Sequence, residues 1–382
     1  MERHTKPSGS LISFFSNKVK QNGGINLAQG IPGFPPPEKL INILLSHSTN
    51  GFHQYAPGNG DAGLLNLLTA RYSKEIDLTN NNFLIVQGAT EALNLIIIYL
   101  KQFIGKSITI MAFDPAYESY KNLPALYGCK FVPFQLAEDG SFDPEKLRDA
   151  VRENDVKLLF YCTPGNPYGK VFSKEETETL LKISRDEDFF IAVDAVYRDL
   201  YFTKKPYLPL EHFNHRLFYV NSFSKMLSIT GWRIGYLIAH QSHMPGIRAI
   251  HDYTGLCASH LYQRVIADYL LDDRCGKPYT EILRATLAKN YNTLKYALTD
   301  AGFTIPTADG GYFVWAKLPN GFTDGFEVAM DLYEEEKVAT IPGEHFSETS
   351  KAYLRFNIAR PTEEIIEAGI RIKRFFEKRC IS

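Results

Sequence analysis

Ser222-Phe223-Ser224-Lys225, followed by Thr230-Gly231-Trp232-Arg233-Ile234-Gly235, decides how the rest of the chain is read. The lysine stands just past an apolar run, Leu217-Phe218-Tyr219-Val220, that predicts a strand. Two hydroxyls, Ser222 and Ser224, fall within the three residues before it, and Arg233 lies eight residues after it. A lysine that forms a Schiff base needs a partly desolvated pocket to be nucleophilic at neutral pH. A phosphorylated aldehyde needs hydroxyl donors and a guanidinium for its phosphate. One short segment offers both. The plainer alternative is a strand, a turn and a surface lysine.

Outward from this segment, short apolar runs alternate with helical patterns. Strands are predicted at Phe83–Gln87, Ser107–Ala112, Lys130–Phe134, Leu158–Cys162, Phe189–Val193, Leu217–Val220 and Gly235–Ala239. Helices are predicted at Thr90–Leu100, Asp143–Glu153 and Lys174–Glu187. Short strands separated by helices or long connections predict an α/β fold with a mostly parallel sheet, covered on both faces. Sites in such sheets collect at the carboxyl ends of strands. Gly88, Thr90, Asp114, Tyr117, Asn166, Asp194, Tyr197 and Ser222 to Lys225 all fall there.

Beyond about Asp273 the pattern changes. A long helical stretch, Tyr279–Gly302, leads to Gly310-Gly311-Tyr312-Phe313-Val314-Trp315, a helix at Gly325–Glu336, a strand at Tyr353–Ile358 and a last helix near Thr362–Lys378. This predicts a smaller α+β lobe. The segment Gly30-Ile31-Pro32-Gly33-Phe34-Pro35-Pro36-Pro37 predicts a link between an N-terminal arm and the body. The division expected is residues 1–40 as an N-terminal arm and small-domain segment, 41–275 as a large domain and 276–382 as a small C-terminal domain.

A chain of 382 residues suits two lobes. Its net charge of −1 gives no electrostatic case for nucleic acid or an anionic membrane. The five cysteines (Cys129, Cys162, Cys257, Cys275 and Cys380) form no CxxC and no Cys/His ligand cluster, so neither a disulfide framework nor a metal site is expected. Free thiols in a reducing compartment, the cytoplasm, are expected instead. No apolar run stands behind Met1-Glu2-Arg3-His4-Thr5-Lys6-Pro7 to make a secretory leader. The most apolar run, Leu93 to Leu100, is too short to span a bilayer and predicts a core helix.

Several further residues carry possible chemistry, each beside a plainer alternative. Asp194 ends an apolar strand, where a buried carboxylate needs a partner. A pyridinium nitrogen would be one, and Tyr197 lies three residues on. The alternative is an N-cap for the next helix. Asn166 sits in a turn, Thr163-Pro164-Gly165-Asn166-Pro167, where its amide can donate to a ligand or simply serve the turn. Gly88-Ala89-Thr90 joins a strand to a helix and offers backbone N–H groups to a phosphate, or only a threonine cap. It is neither GxGxxG nor a P-loop, so no dinucleotide is implied. Tyr117 can stack on a flat ring or fill the core. Arg355, between apolar residues on a predicted strand, suits a substrate carboxylate bidentately or an internal salt bridge. His53 reads as a loop histidine.

Together these residues resemble the class I/II pyridoxal-phosphate aminotransferases of fold type I. The order matches from Tyr55 through Gly88-Ala89-Thr90, Tyr117, Asn166, Asp194 with Tyr197, Ser222-x-Ser224-Lys225 and Arg233 to Arg355. The resemblance runs from about Ile25 to Arg360. Three stretches are most similar to methionine and kynurenine–oxoglutarate (glutamine K type) aminotransferases: Asn26 to Phe34, His53-Gln54-Tyr55-Ala56-Pro57 and Gly88 to Leu93. Asp194-Ala195-Val196-Tyr197 departs from that subgroup, which usually has glutamate at the second position.

The resemblance implies a seven-stranded, mostly parallel sheet in a large domain that binds pyridoxal 5′-phosphate, with a smaller α+β domain. It implies that Lys225 bonds covalently to the cofactor and moves the proton, that Asp194 pairs with the ring nitrogen, and that Tyr197 and Asn166 bond the ring hydroxyl. Tyr117 would stack on the ring. Ala89, Thr90, Ser222, Ser224 and Arg233 would hold the phosphate, joined by Tyr55 from the other subunit of a homodimer with sites at the interface. Arg355 and Asn166, with the backbone at Gly30 and Ile31, would bind the substrate carboxylate. The implied reaction moves an amino group from an L-amino acid, with a methionine, aromatic or other hydrophobic side chain, to a 2-oxo acid by a ping-pong route. Two other readings remain open. One is a carbon–sulfur β-lyase that uses the same cofactor and fold. The other is a non-catalytic ligand-sensing domain, which the complete lysine constellation opposes.

Overall fold

The computed structural model describes residues 4–49, 51–73, 76–105 and 107–380. Met1-Glu2-Arg3, part of the stretch read for a leader, and the side chain of Cys380 lie outside the described residues. The large sheet comprises β1 (Phe83–Val86), β2 (Thr109–Asp114), β3 (Lys130–Gln135), β4 (Val156–Cys162), β5 (Phe190–Asp194), β6 (Leu217–Ser222) and β7 (Gly235–Ile238). Their order across the sheet is β1-β7-β6-β5-β4-β2-β3. Pairing is parallel from β6 through β5, β4 and β2 to β3. Only β7 runs against its neighbours, β1 and β6.

Six of these strands are apolar runs rather than alternating ones, because helices cover both faces of the sheet. Successive side chains enter opposite cores: Leu84 and Val86 on one side, Phe83 and Ile85 on the other. The edge strand β3 is the exception. It exposes Lys130 and Gln135 and carries Pro133, residues that suit an unpaired edge. The helix after β1, Ala89–Ile104, buries Leu93, Ile96, Ile97 and Leu100 and stops at Gly105, which takes the left-handed conformation at φ 69°. The helix at Lys174–Asp186 starts on a capping box made by Ser173 and Glu176.

The small lobe holds β8 (Phe313–Lys317), β9 (Ile341–Pro342) and β10 (Tyr353–Asn357), antiparallel in the order β9-β10-β8. The helices Lys277–Asp300, Gly325–Glu336 and Thr362–Cys380 belong to it. Ile25–Asn26 pairs in parallel with Val338–Ala339, so the N-terminal segment joins this lobe. The proline-rich segment does more than link. Gly33 N–H donates to Ala359 O at 2.7 Å, and Asn357 Nδ2 donates to Gln29 O at 2.8 Å and Ile31 O at 2.9 Å. These bonds pin the segment to the small lobe as a wall. No helix among the described residues is long and apolar enough to cross a membrane.

Candidate active site

The carboxyl ends of the parallel strands and the inner edge of the small lobe enclose a cavity of about 260 Å³. Every residue given a role from the sequence lines it, except Tyr55. Tyr55 is 79% exposed on its own chain, in the loop before the helix Ala62–Tyr72. Asp114 lies apart as well, hydrogen-bonded by Ser347 in a neighbouring cleft. His53 is an exposed loop residue whose ring meets Ser48 O at 3.0 Å.

Lys225 stands in a one-turn helix, Phe223–Met226, directly after β6. Ser222 caps that turn by accepting from Ser224 N at 3.1 Å. The ammonium donates to Gly30 O and sits 5.8 Å from the Tyr197 ring centre and 5.7 Å from that of Tyr312. Burial, then the positive charges of Arg355 and Arg233, lower its pKa from 10.5 to about 8, against an opposing pull from Asp194. A lysine in this state is poised to act as a nucleophile near neutral pH.

Asp194, 4% exposed, ends β5. Its Oδ2 accepts from Tyr120 Oη at 2.7 Å and its Oδ1 from Val196 N at 3.2 Å. No helix follows it, only a turn over residues 196–199, so the N-cap alternative fails. Burial raises its carboxyl, and the Tyr120 and Val196 donors pull the other way. Ala195, the departure from the subgroup, packs into the opposite core and does not reach the cavity. Tyr197 is buried beside the Tyr312 and Phe313 rings, and burial pushes its phenol well up.

A second cluster gathers at the N-terminus of helix Ala89–Ile104. Its cap is Gly88, at φ 84°, with no side-chain cap bond, so Thr90 is not the cap. Gly235 on β7 approaches this turn so closely that a Cβ would lie 2.9 Å from Gly88 C and 3.0 Å from Ala89 N. The result brings free N–H groups, Thr90, Ser222, Ser224 and Arg233 to one end of the cavity. Arg233 holds the left-handed conformation at φ 57°, unusual for a side chain of this size. Its guanidinium donates to Thr230 O at 2.9 Å and has no carboxylate partner among the described residues.

Arg355 faces this cluster from β10 with 1% exposure. Nη1 donates to Asn166 Oδ1 at 2.9 Å and Nη2 to Ala28 O at 2.6 Å, while Nε has no partner. Its guanidinium lies 4.1 Å from the Phe313 ring centre and 4.6 Å from that of Phe346. Burial lowers its pKa to about 10, so it stays charged at neutrality. No described carboxylate pairs with it, and the internal salt-bridge alternative fails.

The donor set suits a phosphorylated aromatic aldehyde. A buried amine of lowered basicity, a buried carboxylate, a helix start with two serines and a guanidinium without a described carboxylate partner meet in one cavity. Sequence reasoning missed Tyr120, Glu118, Ile12 and Phe313, all of which line it. Tyr120 had a usable signal, since it lies three residues beyond Tyr117, the residue that caps the same helix.

Comparison with known proteins shows the family. The sequence model of the family described as aminotransferase class I and II matches residues 22–372. A probable aspartate aminotransferase of Methanocaldococcus jannaschii is 30% identical, over 92% of this chain and 93% of that one. The structure of N-succinyldiaminopimelate aminotransferase from Mycobacterium tuberculosis superposes with a TM-score of 0.88 at 26% identity, covering 97% of this chain and 100% of that one. YbdL from Escherichia coli, for which a methionine aminotransferase function is identified, gives a TM-score of 0.87 at 26% identity over 98% of this chain and 100% of that one. The matched span carries the lysine, the aspartate, the glycine turn and both cavity arginines, and the chain belongs to the class I and II aminotransferases, which depend on pyridoxal 5′-phosphate.

Proposed function

We propose that this aminotransferase takes its amino group from an L-amino acid with a methionine, aromatic or other hydrophobic side chain and passes it to a 2-oxo acid by a ping-pong route. The observation that carries this is the use of charge in the cavity. Among the described residues its cations are Lys225, Arg233 and Arg355. Lys225 serves the covalent bond, Arg233 the phosphate and Arg355 the α-carboxylate, so none of this chain's described cations remains for a side-chain carboxylate. Ile12, Ile31, Leu93, Val196 and Phe313 supply apolar wall. The named relatives act on different donors, so the cavity rather than similarity supports the choice.

Pyridoxal phosphate, when bound, supplies a carbonyl for the donor amine and a ring that withdraws electrons from Cα. The chain does the rest. Arg355 and Asn166 hold the carboxylate and fix the orientation of Cα. Lys225, as a neutral amine, would take the proton from the donor's Cα and return it to the cofactor's carbonyl carbon. Asp194, whose carboxylate accepts from Tyr120 Oη and Val196 N–H, would hold a proton on the ring nitrogen. Tyr197 and Asn166 would bond the ring hydroxyl and Tyr117 would pack on the ring face. Ala89, Thr90, Ser222, Ser224 and Arg233 would anchor the phosphate.

In this reading residues 41–275 form the cofactor-binding domain, and residues 1–40 with 276–382 form the wall that carries Arg355. The enzyme works as a homodimer in which Tyr55 of each subunit completes the other's phosphate site. Support comes from the exposure of Tyr55 and its absence from its own cavity. We assign it to the cytoplasm, where Cys129, Cys162, Cys257 and Cys275 remain the free thiols seen here.

A donor panel tests the proposal. Methionine, phenylalanine, kynurenine, aspartate and glutamate are each paired with pyruvate, 2-oxoglutarate and the keto acid of methionine, and the keto-acid product is measured. Hydrophobic donors should lead; a preference for aspartate or glutamate rejects the donor class. With a cysteine conjugate, ammonia and pyruvate released at a rate independent of acceptor would support the β-lyase instead.

A further inference from the structure

Glu118 faces the cavity and has no part in the chemistry above. With Asp194 it supplies the carboxylates of the cavity lining among the described residues. It opens the helix Glu118–Leu126, where the helix dipole favours negative charge. His345 Nε2 lies 2.9 Å from its Oε2, and Ser10 Oγ donates to the same oxygen at 3.1 Å. Burial pushes this carboxyl up, but His345 and Ser10, with the charge of Arg355, outweigh it and hold it below the usual range. Ser10 also precedes the helix Leu11–Asn22, whose Ile12 lines the same cavity. A fixed anion and an apolar side chain thus share one wall.

We propose that Glu118 is a specificity-determining residue, whose carboxylate excludes donors and acceptors bearing a second carboxylate. The inference rests on the hydrophobic-donor reading and names the group that enforces it. One substrate carboxylate has Arg355. A second enters a cavity of about 260 Å³ in which this chain's described residues offer no free cation and Glu118 already places its charge. Like charges confined in a partly desolvated space repel strongly. A ping-pong enzyme uses one cavity for both half-reactions, so the filter acts on the acceptor too. Neutral 2-oxo acids should therefore outperform 2-oxoglutarate.

Glutamate and methionine have side chains of similar length and differ in charge, so they make the comparison. In the holoenzyme, Glu118→Gln keeps the size and the oxygen to which Ser10 Oγ donates. It should raise kcat/KM for glutamate relative to methionine by about tenfold, the equivalent of ~1.4 kcal/mol. Glu118→Asp, which keeps the charge, should leave that ratio near the wild-type value. An equal change for both donors in Glu118→Gln would assign the residue to anchoring the N-terminal helix and overturn the proposal. A second measurement needs no variant. Wild-type holoenzyme titrated with butanoate and with succinate, read by thermal shift, should bind the monocarboxylate more tightly; tighter succinate binding also overturns it. The wild-type donor panel judges the donor class, and the variant ratio judges Glu118. A hydrophobic preference with an unmoved ratio sinks only the second.

Discussion

Arg355 Nη1 donates to Asn166 Oδ1 across 2.9 Å, tying the middle strand of the small sheet to the turn that follows β4 of the large one. The same guanidinium leaves Nε without a partner. A buried donor left unmade costs free energy, and a carboxylate arriving in the cavity would recover it. Arg355→Lys keeps a charge and loses the planar fork. It should raise KM for every donor by roughly ten- to a hundredfold, about 1.5–3 kcal/mol, and leave the absorbance of bound cofactor in place. An unchanged KM would mean the carboxylate binds elsewhere.

Asp194→Asn should hurt turnover far more than folding. Asparagine fits the same volume, and the Tyr120 hydroxyl can reorient to meet it. It cannot hold a proton on a ring nitrogen. Steady-state kcat should fall by at least about a hundredfold, ~2.7 kcal/mol in barrier, with the melting temperature barely moved. Near-normal kcat would reduce Asp194 to a structural residue.

Lys225 makes a prediction about pH. Its pKa is lowered from 10.5 to about 8 in the folded chain. Between those values the unfolded state binds more protons, so the stability of the cofactor-free protein rises with pH across that window. Below about 8 the full penalty of burying the ammonium is present. Cofactor-free Lys225→Met should therefore be more stable than wild type at pH 7.5, by about 1–3 kcal/mol, and the gap should close toward pH 10. Paired urea titrations across that range read the difference; a gap that widens with pH contradicts a buried amine. The same variant should have lost turnover.

Tyr55 should act across a subunit boundary. Tyr55→Phe should weaken cofactor retention by about 1.5–3 kcal/mol, one charge-assisted hydrogen bond, without unfolding the chain. Mixing decides between cis and trans action. In a heterodimer of Tyr55→Phe and Lys225→Ala chains, a trans arrangement yields one site with both residues and one with neither. Recovery of tight cofactor binding and turnover on mixing is the expected result. No recovery would place Tyr55 in its own subunit's site.

The sheet was legible because each strand is a short, bounded apolar run, and observed limits differ from the sequence limits by two residues at most. The lysine, aspartate and glycine turn were legible because each sits directly at a strand end. What stayed hidden depends on distant contacts. Helices such as Leu11–Asn22 and His260–Asp272 mix polar and apolar residues with weak start signals, and tertiary packing decides them. Tyr120 looks like one core aromatic among many, and only the fold brings its hydroxyl to Asp194, 74 residues away. Glu118 looks like an ordinary first-turn acid until His345 and Ser10 arrive from opposite ends of the chain. Gly30 entered the candidate site only through the resemblance, since glycine and proline composition alone reads as a linker.

The bond from Arg355 to Ala28 O spans 327 residues of sequence, and that from Lys225 to Gly30 O spans 195. Ile25–Asn26 likewise waits for Val338–Ala339 to form its short sheet. During synthesis the large sheet can pair as soon as β7 emerges, but one wall of the cavity has no backing until β10 follows. Closing such long loops is entropically slow. Folding order thus separates a scaffold that forms early from a chamber that forms last, and a chain cut short before Arg355 keeps Lys225 while losing the arginine proposed to hold a substrate.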